Sequence, residues 1–365
     1  MASLRTQIGL ILGIALLGNA VSHIAPLPSV RAQFEPEPDG ENIPPRFPND
    51  TPRPGITPLP PERQLEDRRF PEKDYRVTSL QPDATGALWI GSWLGLTRID
   101  PNTGRIIARV DLPNYTIGAL ARDKVGRIWA GTYEGLVRVD PRSNEMTAQN
   151  FTLPSNRILS LLIDRRGYLW VGTDRGLALI SPDQGLLMTT LKNLPGTSAN
   201  AMTLDREGQL WVGTLQGVVQ VDTSSGLVIG RVTEIPGGVV QTMTTDFDGN
   251  LWVGTPNSLL VINPKTREIE RSVTPMRGRS VSSVRFAKDT SVWVGTNNGL
   301  WKLRAETGAI LGQVADLPSS RILSLSPDTG NKLWVGTSEG LAWVSLTTGR
   351  VRPHFAFVRR GPSNF

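Results

Sequence analysis

The stretch LWVGTLQGVVQVD, Leu210 to Asp222, decides the fold because near copies of it recur along the chain. Each copy carries a tryptophan at the same phase: Trp89, Trp129, Trp170, Trp211, Trp252, Trp293 and Trp334. The spacings between them are 40, 41, 41, 41, 41 and 41 residues. A constant period of this kind indicates that one supersecondary unit is copied along the chain.

A single copy predicts a four-stranded meander. In the third copy, β-favouring residues occupy 158–163, 168–172, 177–180 and 186–191, and turn-forming residues separate them. The first turn begins with an aspartate six residues before the tryptophan, at Asp83, Asp123, Asp164, Asp205, Asp246 and Asp328. Aspartate can accept a hydrogen bond from the backbone two residues further on, which favours a turn. The sixth copy departs from this pattern with Ala287 and Thr290.

Identical sheets can bury one another's faces by stacking around an axis, which is the arrangement of a β-propeller. Small residues recur in the first strand, where the centre of a ring is narrow: Ser79, Ala119, Ser160, Ala201, Thr242, Ser283 and Ser324. We therefore predict an all-β fold, a single seven-bladed β-propeller of four-stranded antiparallel blades, over residues 75–357. A linear solenoid is disfavoured because its end repeats would differ from the others. Either residues 350–357 or the EDRRF stretch at 66–70 could complete the ring.

The remaining segments predict export. Residues 1–32 combine an early arginine, a short apolar run and small residues before Ala32, which is typical of a signal peptide. Residues 33–74 are rich in proline and charge and predict a disordered linker, and residues 358–365 form a C-terminal tail. We expect a periplasmic or secreted location, with no integral membrane segment in the mature chain.

The composition argues against several kinds of functional site. Cysteine is absent, so neither disulfides nor thiolate chemistry is expected. The net charge of +6 is modest. The sequence contains no basic stripe with interleaved aromatic residues, so nucleic acid is not expected as a partner. Residues 246–250, DFDGN, resemble the start of a calcium loop, but they suit an ordinary hairpin turn equally well. We predict no cofactor and no metal site.

The unit D..G.LWVGT..GL..V, followed by TG.I and LP, resembles the two-component regulator propeller repeat. Proteins with this repeat include extracytoplasmic sensor regions of bacterial hybrid histidine kinases, so the resemblance implies a propeller with a sensing or binding role. It extends over residues 77–357. In that family two propellers usually precede a small β domain, a membrane span and a kinase. The copies here account for one propeller, and kinase activity of its own is not expected.

A more distant resemblance links the repeat to streptogramin lyases, which are seven-bladed enzymes that use a histidine with a metal nearby. Beyond the signal peptide this sequence has one histidine, His354, in the last strand. No histidine is expected near the central surface, so the resemblance provides no catalytic base there.

Functional residues are expected where the copies differ. The loops between second and third strands should open on the same face as the links between blades. Candidate ligand-binding residues on this face are Trp93, Tyr133, Asp174 and Arg175 in the loops, and Arg76, Tyr115, Arg157, Arg279 and Arg321 in the links. Aromatic rings beside arginines suit a carbohydrate, an anionic cell-wall fragment or an acidic peptide. The same residues are also compatible with a solvated loop surface.

The sequence thus predicts an exported, non-catalytic binding or sensor propeller. Its partner would be a small ligand or glycan, or an envelope protein such as a sensor kinase. Two alternatives stay open: a saccharide-directed or streptogramin-type lyase or hydrolase, and a structural scaffold. No catalytic residue is selected, because nothing in the spacing singles out a pair of carboxylates.

Overall fold

The structure, a computed structural model, describes residues 74–92, 95–112, 116–149 and 151–358. Within these residues, 28 strands form seven four-stranded antiparallel sheets, and each sheet consists of four consecutive strands. The fold is the predicted all-β, seven-bladed β-propeller. The predicted signal peptide, the linker up to residue 73 and the tail from residue 359 lie outside the described residues.

The strands occupy equivalent positions in every blade. The inner strands are β1 (Val77–Pro82), β5 (Ile117–Arg122), β9 (Ile158–Ile163), β13 (Ala201–Leu204), β17 (Thr242–Thr245), β21 (Val281–Phe286) and β25 (Ile322–Thr329). The second strands are β2 (Leu88–Ser92), β6 (Ile128–Thr132), β10 (Leu169–Thr173), β14 (Leu210–Thr214), β18 (Leu251–Gly254), β22 (Ser291–Thr296) and β26 (Lys332–Thr337). The third strands are β3 (Gly95–Ile99), β7 (Leu136–Asp140), β11 (Gly176–Ser181), β15 (Gly217–Val221), β19 (Leu259–Ile262), β23 (Gly299–Arg304) and β27 (Gly340–Ser345). The outer strands are β4 (Ile106–Val110), β8 (Glu145–Gln149), β12 (Leu186–Leu191), β16 (Val228–Val232), β20 (Ile269–Ser272), β24 (Ile310–Val314) and β28 (Val351–Pro353).

Helical structure in the described part of the chain is limited to a single 3₁₀ turn, Thr274–Met276, in the link before the sixth blade. No helix among the described residues is long and apolar enough to cross a membrane.

The phased tryptophans pack between blades. Trp89, for example, lies in one buried cluster with Leu120 and Ile128 of the second blade. Each tryptophan meets the following blade in the same way, and Trp334 of the last blade packs with Leu88 and Ile90 of the first. The indoles therefore form the interfaces that hold the ring together, and they are too deeply buried to stack on a sugar.

Glycine follows each tryptophan by two residues because the next inner strand passes close by. A Cβ atom at Gly131 would lie 2.4 Å from the Ile158 side chain of the third blade. At Gly172 it would lie 2.4 Å from the carbonyl oxygen of Ala199, which leads into the inner strand of the fourth blade. Any larger side chain at these positions would push neighbouring blades apart.

The aspartate of the first turn does more than the sequence indicated. In the fourth blade, one oxygen of Asp205 accepts the backbone N–H of Gln209 at 2.8 Å. The other oxygen accepts the indole N–H of Trp211, also at 2.8 Å. The carboxylate thus fixes the turn and satisfies the buried donor of the interface tryptophan at once.

The prediction that Asp328 fixes the first turn of the seventh blade is wrong. Its hairpin turns on Gly330 and Asn331, both with positive φ, and β25 runs on to Thr329. This shorter turn directs the Asp328 carboxylate to the sixth blade, where it accepts the backbone N–H of Lys288 at 2.9 Å. The indole of Trp334 donates to the carbonyl of Thr329 at 3.2 Å instead.

The C-terminal side of the chain supplies the outer strand of the seventh blade, because β28 pairs with β27. The contact between the seventh and first blades, which we call the seam, contains no strand shared between them among residues 74–358 as far as these are described. Phe357 is 1% exposed in this contact. Across the seam, Lys332 donates to the Pro101 carbonyl at 2.7 Å, and Ser324 donates to the Val77 carbonyl at 3.0 Å.

His354 also belongs to the seam. Its Nδ1 faces the backbone N–H of Ala356, so the hydrogen-bond network places the proton on Nε2, which donates to the Gly104 carbonyl at 2.7 Å. Burial lowers the pKa of His354, although its hydrogen bond to Gly104 acts in the opposite direction. The neutral imidazole is therefore the form of His354 that fits the closed propeller.

Candidate ligand-binding face

The loops between second and third strands and the links between blades lie on one face, as predicted. Backbone hydrogen bonds join a loop to the neighbouring link: the N–H of Asp174 donates to the Arg157 carbonyl at 3.3 Å, and that of Ser338 to the Arg321 carbonyl at 3.1 Å. We call this surface the loop-rich face.

A threonine at the end of the second strand shapes these loops in the second to seventh blades. The hydroxyl of Thr173 donates to the Gly176 carbonyl at 2.9 Å and accepts the backbone N–H of Arg175 at 3.2 Å. Equivalent bonds form at Thr132, Thr214, Thr255, Thr296 and Thr337. The tight loop is thereby held rigid, so residues at its tip project from a fixed scaffold.

Three predicted residues of the second and third blades come together on this face. The Arg157 guanidinium lies 4.9 Å from the centre of the Tyr133 ring, and Tyr133 is 40% exposed. Asp174 is half-buried, its backbone N–H donates to the Arg157 carbonyl, and its Oδ1 has no hydrogen-bond partner among the described residues. We call Tyr133, Arg157 and Asp174 the Tyr133 cluster. Arg175 follows directly and is exposed.

Arg76 lies near this cluster but is partly engaged. Its Nε donates to both oxygens of Asp74, at 2.8 and 2.7 Å. These hydrogen bonds raise the pKa of Arg76, and the nearby Tyr133 contributes in the same direction. Arg76 is therefore a cation already paired with a carboxylate.

The two remaining arginines belong to other blades. Arg279 is half-buried, with its guanidinium 4.4 Å from the Trp301 ring and its Nε donating to the Pro275 carbonyl at 3.1 Å. Its side chain holds its own link in place. Arg321 is exposed in the link to the seventh blade. Trp93 and Tyr115 lie outside the described residues.

The central channel opens at the middle of the ring. Its mouth has a volume of about 370 Å³ and is lined by Thr78, Leu159, Asn200, Val239, Val240, Gln241, Ser282 and Leu323. A narrower part of about 180 Å³ continues inward and includes Arg285. Solvent reaches the Arg285 side chain, yet the surrounding blades displace enough bulk water that burial lowers its pKa. No carboxylate lines this described part of the channel.

The described residues do not meet the requirements of a metal site. Among the described residues no cluster of His, Asp and Glu has the geometry to hold a metal ion. The oxygens of Asp246, in the segment that resembles a calcium loop, accept the Asn250 N–H at 2.8 Å and the Trp252 indole at 2.9 Å. His354, the histidine of the described chain, lies in the seam.

Four segments, residues 111–134, 152–175, 193–216 and 234–257, match the family described as two component regulator propeller. These four segments are similar to the two component regulator propeller repeat. Each matched segment starts in a link and ends in the loop after the second strand. The repeats therefore contain the parts of the second to fifth blades that build the loop-rich face.

Several solved structures share the propeller fold of this chain. The extracellular domains of two hybrid two-component systems from B. thetaiotaomicron are each 22% identical, with TM-scores of 0.66 and 0.64. The alignments cover 78% and 74% of this chain, which spans only 42% and 40% of those domains. Virginiamycin B lyase from Staphylococcus aureus is 16% identical, with a TM-score of 0.64, over 75% of this chain and 96% of the lyase. No curated protein matches the sequence significantly.

Proposed function

We propose that this chain is an exported, non-catalytic sensor or binding propeller that recognises its ligand on the loop-rich face. Two kinds of similarity support the sensor role: the propeller repeats and the shared fold with extracellular domains of hybrid two-component systems. Export is supported by the signal-like sequence of residues 1–32.

The observation that carries this proposal is the chemistry of the Tyr133 cluster. An exposed aromatic ring carries a guanidinium stacked on it, and the neighbouring loop holds a carboxylate oxygen that has no partner among the described residues. The stacked Arg157 keeps its N–H groups available at the edge, where they can bind a carboxylate in a bidentate manner. The Oδ1 of Asp174 can accept a hydroxyl or amide donor, which would satisfy an otherwise unpaired buried atom.

A carbohydrate that carries an acidic group fits this combination best. Its hydroxyls supply the donor for Asp174, its carboxylate pairs with Arg157, and its ring face packs against Tyr133. The exposed Arg175 adds a second positive charge at the same rim. A sensor kinase or another envelope protein would then respond to the occupied propeller.

Thermal unfolding of residues 33–365 with a panel of probes tests the proposal: oligogalacturonate, neutral gluco-oligosaccharides, peptidoglycan fragments and an acidic peptide. A ligand at one hundred times its Kd stabilises the folded state by about 2.7 kcal/mol. We expect an acidic saccharide to raise Tm and the neutral saccharides to have little effect.

Variants of the cluster locate the site. Arg157→Met and Asp174→Ala should each remove most of the shift. Arg142→Met is the matched control, since Arg142 is an exposed arginine in the turn between β7 and β8 on the opposite face. A shift that survives both cluster variants would overturn the assignment of the site. A shift with the acidic peptide alone would favour a protein partner over a glycan.

A further inference from the structure

The buried indoles of the ring are satisfied in every blade except the sixth. In the first five blades each indole N–H donates to the aspartate six residues earlier, at distances of 2.8 to 3.2 Å. The sixth blade has Ala287 at that position, and in the part of the chain that the structure describes the Nε1 of Trp293 has no hydrogen-bond partner. Trp293 is only 5% exposed. A buried donor without a partner destabilises the folded state, so the sixth blade carries an unusual polar group.

The strand register shows how the indole of Trp293 is placed. Trp293 pairs with Arg285 on one side and Lys302 on the other. Trp89 of the first blade has the same register, opposite Gln81 and Arg98. The register therefore aligns the indole of Trp293 with those of the first five blades, which donate their N–H to the residue six positions earlier, Ala287 in this blade.

A cation also stands at the equivalent position. In the first blade, Arg98 lies 5.6 Å from the Trp89 ring centre and forms an ion pair with Asp83 at 2.6 Å. Lys302 follows Trp293 by the same nine residues, and its Nζ lies 5.3 Å from that ring centre. The donor and the cation that surround a carboxylate in the first blade both recur in the sixth, without the carboxylate.

Lys302 has a replacement partner at the surface. Its Nζ binds Asp289 at 2.8 Å, in a pair whose side chains are 29% and 57% exposed. Although partial burial opposes the change, the hydrogen bonds from Lys302 and Ser291 lower the pKa of Asp289 to about 2. Ion pairs near the surface contribute little to stability, so Lys302 can move at small cost.

Ala287 and Trp293 form part of the wall of a cleft between the sixth and seventh blades, with a volume of about 850 Å³. Pockets for small molecules occupy about 300–1,000 Å³. Its apolar side chains include Val314, Val344, Leu346 and Val351. Its charged side chains are Lys288, Lys302, Arg350, Arg352, Asp289, Asp316 and Asp328. Two of the three carboxylates are already engaged, Asp289 by Lys302 and Asp328 by the Lys288 backbone.

We propose that this cleft binds a small organic carboxylate with an apolar body. One carboxylate oxygen accepts the N–H of Trp293 in the place of the missing aspartate, the ammonium of Lys302 neutralises the charge, and the apolar body packs between Val314 and Val351. The Nε1 atom is covered from solvent, so the Lys302 side chain shifts aside as the carboxylate enters. This site is separate from the loop-rich face and does not depend on the function proposed above.

Indole N–H resonances of the ¹⁵N-labelled protein provide the test, with benzoate as the probe and benzamide as its neutral counterpart. The signal of Trp293 is identified by its loss in Trp293→Phe. We expect benzoate to shift this signal downfield in a saturable manner and to bind at least about tenfold more tightly than benzamide. A Trp293 signal that does not respond to benzoate, or responds equally to benzamide, would overturn the proposal.

Two variants separate this site from a general surface effect. Ala287→Asp supplies the internal carboxylate, so it should shift the Trp293 signal without ligand and weaken benzoate at least about tenfold. Lys302→Met should weaken benzoate while leaving benzamide unchanged. Lys265→Met is the matched control, because Lys265 is exposed in the fifth blade and should leave benzoate binding intact. Undiminished binding to Ala287→Asp would contradict the assigned position of the carboxylate, and the Lys302→Met result decides the case if that variant does not fold.

Discussion

The fourth and sixth blades are built from the same unit but treat their interface tryptophan differently. In the fourth blade Asp205 binds the indole N–H of Trp211, whereas the sixth blade leaves that of Trp293 unpaired. Both indoles nevertheless pack against the following blade, Trp293 against Leu333 and Val335. The difference teaches that apolar packing forms the interface between blades, and that the carboxylate is a second contribution that one blade can lose.

The largest expected effect comes from removing the carboxylate where it is present. Asp205→Ala would leave the Trp211 indole and the Gln209 N–H without their acceptor, and Asp205 is buried. We expect the free energy of unfolding to fall by about 3 kcal/mol. Urea denaturation measures this loss. Glu207→Ala, an exposed position in the same turn, should change stability by less than about 0.5 kcal/mol. Equal effects of the two variants would show that the indole hydrogen bond is unimportant.

Converting the sixth blade to the pattern of the fourth should have a smaller effect of opposite sign. Ala287→Asp gives Trp293 an acceptor and brings a carboxylate close to Lys302. We expect a gain of about 1 kcal/mol, or about 2 °C in Tm for a domain of this size. Calorimetry of the variant beside the parent chain measures it. A lower Tm would mean that no carboxylate fits beside Trp293, which would also remove the geometric basis of the cleft site.

The smallest effect concerns the seventh blade, where a carbonyl replaces the carboxylate and His354 packs nearby. Burial keeps the folded-state pKa of His354 below its ordinary value of about 6.5. As the pH falls below about 6.5, the unfolded chain binds a proton that the folded chain resists, so stability decreases. The pKa of Asp83 is also lowered in the folded state, and the stability that this provides is lost only as the pH falls below its ordinary pKa of 3.8.

Comparing the parent chain with His354→Gln isolates this contribution. Glutamine can retain a donor toward Gly104 but does not titrate. Urea denaturation at about pH 7.5 and about pH 5.5 should show a larger loss of stability in the parent than in the variant. The same loss in both proteins would mean that acid acts elsewhere.

Much of the fold could be predicted because it depends on short-range patterns. The seven copies of the 41-residue unit predicted the number of blades. In the third blade the predicted strands agree with β9 to β12 within one residue at each end. The bond between Asp205 and Trp211 was missed, although the constant six-residue offset between these residue types was visible. The prediction for Asp328 was wrong because the glycine of this turn, Gly330, lies one residue earlier than in the other copies, which changes the type of turn.

The candidate site was less predictable because it depends on contacts between blades. The sequence placed Tyr133 and Arg157 on one face, but their stacking at 4.9 Å depends on how the link of the third blade meets the loop of the second. The engagement of Arg279 by Trp301 likewise depends on the direction of a side chain on β23. The sequence showed that Ala287 breaks the pattern, but only the structure showed that this leaves the Trp293 N–H unpaired beside a cleft.

The way the ring closes has a consequence for how such a protein can change over generations. Every sheet comprises four consecutive strands, and the seam uses packing and side-chain hydrogen bonds rather than a strand borrowed from the other end. A duplication or deletion of one 41-residue segment would therefore add or remove an entire blade, together with its own tryptophan, and would leave no half-built sheet behind. In such a ring, single repeats are free to diverge, as the sixth has done, while the others preserve the circle.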